Sequence, residues 1–179
     1  QQCLDAVKIP VFDGEPTDYA RWANDIQVRI ECYSTDPKRL MNKVQQTFSR
    51  QVRDNVYPTI VDGSWEQYVA LKDRVRELYG TPCVIIRRFL DQLRESPRVA
   101  SEHDTEELSK FETRLRRVVD SLSALSRLGS IGKSSPLLSA EQYSDVIMKL
   151  PEKWTGKLID KMEVSASLQT IHTFVELHL

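Results

Sequence analysis

Residues 9–16 read Ile-Pro-Val-Phe-Asp-Gly-Glu-Pro, and Tyr19 and Trp22 come soon after. The stretch opens with a short apolar piece. Pro10 holds Ile9 out of the helical region, so that piece is extended. Gly14 allows a sharp bend that sends the chain back on itself. Pro16 then introduces a helix whose apolar residues Tyr19, Trp22, Ala23, Ile26, Ile30 and Tyr33 recur every three or four positions. A short extended piece, a glycine turn and an amphipathic helix predict a helical module with an extended N-terminal segment.

The same period runs through most of the chain. Asp36-Pro37 sets a cap and a first-turn proline for a second helix with Leu40, Met41, Val44, Phe48, Val52 and Val56 on one face, and Pro58 ends it. Ser64-x-x-Gln67 signals a capping box for a third helix that buries Trp65, Tyr68, Leu71, Val75 and Leu78 and closes at Gly80. A fourth begins at Thr81-Pro82 with Ile85, Ile86, Phe89, Leu90 and Leu93. The longest carries Leu108, Phe111, Leu115, Val118, Leu122 and Leu125 and ends at Gly129. A second capping-box signal, Ser139-x-x-Gln142, starts a helix with Tyr143, Val146, Ile147 and Leu150. Two more helices complete the chain, one after Pro151 with Trp154, Leu158, Ile159 and Met162, one with Leu168, Ile171, Phe174 and Val175. Period-2 alternation is absent outside residues 9–12. The expected class is all-α, in two helical lobes with a short N-terminal extended segment. The break is expected at Gly80-Thr81-Pro82, giving lobes 1–80 (three helices) and 81–179 (about five).

Composition narrows the function. With 179 residues, 40% hydrophobic and 28% charged, the chain can build a core. A formal net charge of −1 gives no bulk attraction to nucleic acid or membrane. No apolar run approaches the roughly 20 residues of a membrane helix. Cys3, Cys32 and Cys83 are sparse, lack a C-x-x-C spacing and fit free thiols in a reducing, cytoplasmic setting. The start at Gln1-Gln2 reads as a piece of a longer polypeptide.

No catalytic motif emerges, and neither an enzyme nor a cofactor is expected. Gly129-Ser130-Ile131-Gly132-Lys133-Ser134 has two residues between its glycines where a phosphate loop needs four, and a helix rather than a strand precedes it. His103, His172 and His178 are too few and scattered for a metal site. Lys149, Lys153, Lys157 and Lys161 recur at intervals of four and offer a basic stripe for RNA or another anion, or simply a solvated face interrupted by Glu152, Asp160 and Glu163. Arg114, Arg116 and Arg117 form another cluster. Trp22, Trp65 and Trp154 are expected in the core.

Four segments in order carry a resemblance. They are Phe12-Asp13-Gly14 with Trp22, the run from Trp65 and Tyr68 to Leu78-Tyr79-Gly80-Thr81-Pro82, then Leu108, Phe111 and Leu115, and Lys149-Leu150-Pro151 with Trp154. Together they resemble the capsid region of Gag polyproteins of LTR retrotransposons, most closely the Bel/Pao type. Glu106, Phe111, Arg114 and Leu115 look like a degenerate major homology region of retroviral capsids. The resemblance implies a shell protein that binds copies of itself, as dimers and higher capsomers, around RNA held by a segment outside this chain. It also implies the alternative of a domesticated helical adaptor for peptide or protein partners. By position, the helix with Tyr143 and Met148 resembles the one that capsids use to dimerise. Ile9, Val11 and Phe12 are expected either to pack as an N-terminal strand or to be given to a neighbouring subunit. These five residues are the expected self-assembly contacts.

Overall fold

The computed structural model describes residues 3–127, 139–164 and 167–179. Residues 128–138, with the Gly129–Ser134 stretch, lie outside that description. The described chain is all-α. Among the described residues, no helix is long and apolar enough to cross a membrane. The chain divides into two compact units, Gln1–Ile85 and Ile86–Leu179.

The first unit begins with a 3-10 turn at Leu4–Ala6 and an extended run to Phe12. A second 3-10 turn, Pro16–Asp18, leads into α1 (Tyr19–Asp25), which continues as a π turn over Ile26–Ile30 and a 3-10 turn over Glu31–Tyr33. Trp22, Ile26 and Ile30 are buried. The wide π turn holds an extra residue, which rotates the residues after it about the helix axis, and Tyr33 turns outward against the expectation.

The expected second helix is two helices, α2 (Pro37–Gln45) and α3 (Arg50–Val56). The break has a cause in the arm. Phe12 donates its N–H to the Thr47 carbonyl at 2.7 Å and accepts the Ser49 N–H at 3.0 Å, an isolated parallel bridge between Phe12 and Phe48. Backbone groups that a continuous helix would use internally are committed to the arm, and the Ser49 hydroxyl caps the restart by accepting from the Val52 N–H at 3.3 Å. After Gly63, α4 (Trp65–Val75) and a π turn over Arg76–Gly80 complete the unit. Ser64 caps α4, whereas the Gln67 side chain accepts from the Asp62 N–H at 2.9 Å and not from the Ser64 N–H that a full capping box would use. Trp65 is half-exposed, which corrects its placement in the core. It lies with Val69, one turn on, beside the buried stripe of Tyr68, Leu71 and Val75. Gly80 has no room for a side chain, since a Cβ there would run into the Tyr19 ring.

The second unit contains most of α5 (Pro82–Glu95), then α6 (Thr105–Arg127), α7 (Ala140–Ile147), α8 (Glu152–Val164) and α9 (Leu168–His178). The division between units therefore falls inside α5 rather than at Gly80-Thr81-Pro82. Leu108, Phe111, Leu115 and Val118 of α6 pack in one core with Ile171, Phe174 and Val175 of α9, and Trp154 and Leu158 of α8 join them. The capping box at Ser139 is complete, with both reciprocal bonds made to Gln142. Val99 donates its N–H to the Lys149 carbonyl at 2.8 Å, and Arg94 pairs with Asp145 at 2.7 Å, so α7 and its exit are tied to the chain around α5.

Candidate functional site

The short α7 and the start of α8 are joined by a tight turn at Met148–Pro151. Val146 and Ile147 of α7 and Leu150 of the turn go into the core, which leaves one flank of α7 facing α8 across an open furrow. Tyr143, Ile147, Met148, Ile159 and Met162 line it, with Ser144, Thr155 and Glu163 as its few polar groups, and it encloses about 260 Å³. Met148 and Ile159 are 52% and 48% exposed. Large apolar side chains in that state carry unfavourable contact with water that a partner surface would relieve. Tyr143 is half-buried, and that burial pushes its pKa above the ordinary value, so its hydroxyl stays a neutral donor and acceptor at the furrow wall. Tyr143 and Met148, singled out from the sequence, are thus brought together. Ile159 and Met162, their partners across the furrow, carry no sequence signal beyond membership of a helical stripe.

The N-terminal arm occupies a seat on its own unit. Phe12 is fully buried and touches Trp22 and Tyr79 at ring-centroid distances of 5.7 and 5.4 Å. Phe48 closes the same aromatic group against Trp22 at 5.4 Å. Leu4 and Val7 are buried as well. Three basic side chains hold the arm from outside. Arg29 donates to the Lys8 carbonyl at 2.9 Å, Lys43 donates to the Asp5 carbonyl at 3.3 Å, and Arg39 lies 3.8 Å from the Asp5 carboxylate. In this arrangement Phe12 is a core residue and not a surface contact, Ile9 is half-buried, and Val11 alone of the three is exposed.

The lysines do not form one stripe. Lys149 precedes α8 and lies in the turn, while Lys153, Lys157 and Lys161 continue at helical spacing. Lys153 is paired with Glu102 at 2.8 Å, and the hydrogen bond it donates holds the Glu102 carboxyl below its ordinary range. Lys161 lies over the Phe174 ring at 5.5 Å. Two of the four charges are therefore already engaged within the chain.

One polar cluster has no sequence signal. Buried Glu112 of α6 and buried His172 of α9 meet at 2.8 Å, with Glu176 at 3.7 Å from the same ring nitrogen. By ligand type Glu112, His172 and Glu176 could hold a cation. Arg116 already supplies one, with its Nη2 2.6 Å from Glu112 Oε1 and 3.4 Å from Glu176 Oε1. An ionised carboxylate only accepts, so Nε2 of His172 carries the proton toward Glu112. Nδ1 is left buried without a hydrogen-bond partner. The cluster links α6 to α9, and the guanidinium sits where a metal would have to compete.

The apolar furrow is open, whereas the arm seat is filled by the chain's own residues 4–12. The chain matches no known family model, no curated protein and no solved structure.

Proposed function

We propose that this chain is a structural shell protein of the Gag capsid type, which associates with copies of itself through weak, repeated contacts. One observation carries the reading: the apolar furrow between α7 and α8, bordered by half-exposed Met148 and Ile159. It holds both the cavity and the side chains able to fill it. A two-fold axis through such a face lets the Met148 of each copy enter the furrow of the other, so a single patch satisfies both partners. Contacts of this size are weak singly and become strong when many are repeated in a closed array. RNA is assigned to a segment outside this chain, since two of the four lysines are spent internally and the net charge is −1.

Light scattering and particle imaging across protein concentration and salt test the reading. Dimers and larger bodies that grow with both are expected. Monomers throughout would overturn it.

A second reading, a helical adaptor for extended peptides, draws on the arm seat. A unit that accepts its own extended segment, through backbone pairing and an aromatic pocket, has the features needed to accept another.

A further inference from the structure

We infer that the arm of residues 4–12 is exchangeable, and that its seat on the first unit also receives the same arm of a second copy. The inference takes its occupant from self-association, but it does not depend on the α7–α8 face, which lies in the other unit.

The seat is built for this particular segment. Its floor is aromatic, with Trp22 and Tyr79 against the Phe12 ring and Phe48 against Trp22. Its edge offers one acceptor and one donor, the Thr47 carbonyl and the Ser49 N–H, both matched to Phe12. Arg29 and Lys43 take main-chain carbonyls of Lys8 and Asp5, and Arg39 faces the Asp5 carboxylate. Apolar Leu4 and Val7 fill the remaining length. An arm from another copy brings all of these groups at the correct spacing. A generic extended peptide brings the backbone alone.

The connection permits exchange. Phe12 is followed by Asp13-Gly14-Glu15, a bend in which the Asp13 carboxylate accepts the Glu15 N–H at 3.0 Å and Gly14 has a φ of +90°. A glycine in that region reaches other backbone conformations at little cost, so a rotation here lets the arm leave its own seat and remake the same contacts on another copy. The same bonds form in either case, so cis and trans forms differ only in the bend at Gly14 and in concentration. A short tether gives the cis arm an effective concentration on the order of millimolar, so exchange needs copies packed as densely as that. Such packing is what a shell provides.

The test uses the full chain with Val11→benzoylphenylalanine, a photoactive side chain at an exposed position next to the Phe12 bridge. These probe-bearing light copies are mixed with heavy-nitrogen copies lacking the probe, irradiated, digested and mapped by mass spectrometry. The expected product joins a light arm to a heavy α2–α3 segment, residues 37–56. Its yield should rise about tenfold for each tenfold rise in concentration while the cis form dominates. Cross-links only within single light chains, up to millimolar protein, would overturn the inference. Light–heavy links scattered over the chain rather than on 37–56 would overturn it equally. Repeating the mixture with Met148→Lys in both copies separates the two ideas. Arm links that persist there stand without the α7–α8 contact, and loss of dimers with arm links absent in every background removes the exchange alone.

Discussion

The indole N–H of Trp22 donates to the Thr47 hydroxyl at 2.9 Å, fully inside the first unit. The same hydroxyl donates onward to the Val44 carbonyl at 2.7 Å. Thr47 also gives its carbonyl to the Phe12 N–H, so one residue at the end of α2 ties α1, α2 and the arm together. Thr47→Val keeps the shape and removes the acceptor. The stranded indole should cost about 1–3 kcal/mol. Urea unfolding should place Thr47→Ser close to the parent and Thr47→Val well below it. Equal stability of the two would show that the hydroxyl is dispensable.

Phe12→Ala empties the aromatic seat. Truncation of a fully buried phenylalanine typically costs about 3–5 kcal/mol. A distinct second effect is expected here, because Phe12 anchors the arm. The Lys8 peptide bond should become cleavable by trypsin at low enzyme ratios while the rest of the unit stays protected, provided the temperature is kept below the lowered midpoint. Unchanged cleavage at Lys8 would mean that the arm is held without its anchor.

Glu31 links the end of the first helical run to α4. It accepts from the Tyr68 hydroxyl at 2.7 Å and from Lys72 at 2.5 Å. Partial burial pushes its pKa up, but the hydrogen bonds from Lys72 and Tyr68 outweigh burial and leave the net shift downward. A carboxyl depressed in the folded state stabilises above its unfolded pKa and loses that contribution as pH falls through the folded value. The melting temperature of the parent should therefore drop more steeply between about pH 5 and pH 3 than that of Glu31→Gln. Burial and acceptance from the phenol by Glu31 also raise the Tyr68 pKa. Ultraviolet titration should find this tyrosine protonated where exposed tyrosines have ionised. Parallel melting curves for parent and variant would overturn the assignment.

Met148→Lys sets a charge on the rim of the α7–α8 furrow. Because the side chain is half-exposed, folding stability should change by no more than about 0.5 kcal/mol. Self-association should weaken at least about tenfold, equivalent to about 1.4 kcal/mol. Sedimentation velocity measures it, and Ile159→Lys across the furrow should act in the same direction. Dimerisation unaffected by both changes would remove this face from the assembly.

Breaking the buried pair between α6 and α9 should lower stability. Glu112→Leu leaves Arg116 without its nearer carboxylate and His172 without its acceptor. About 1–3 kcal/mol of stability should be lost, because the buried imidazole N–H loses its acceptor while half-exposed Arg116 can turn to water. Restoration by a second change, His172→Leu, would measure the coupling between the helices.

Much of the helical order is legible in the sequence because the rules that set it are local. The capping box at Ser139 and the inward stripe from Leu108 to Val118 depend on residues three or four apart. The features that escape such a reading depend on distant partners. Val44, Phe48 and Val52 keep a four-residue spacing across the break between α2 and α3, so the period shows no interruption. The interruption comes from the Phe12 backbone. Glu112 with Arg116, and His172 with Glu176, each look like an ordinary surface pair one turn apart. Their meeting requires α6 against α9. Trp65 carries the right spacing but sits at the flank of its stripe, and spacing alone does not place that boundary. The furrow is half legible, since Tyr143 on α7 and Met148 just past its end stand out while the wall from α8 depends on the turn at Pro151.

The bridge between Phe12 and Phe48 also sets an order of events during synthesis. Phe12 leaves the ribosome long before Phe48, and Tyr79 later still, yet its ring is covered only once all of them are in place. The nascent arm is an uncovered aromatic for that interval, and its closure is a long-range step that lags the local helices. Pulse-labelled hydrogen exchange during refolding should find the Phe12 and Ser49 amides protected after those within α2.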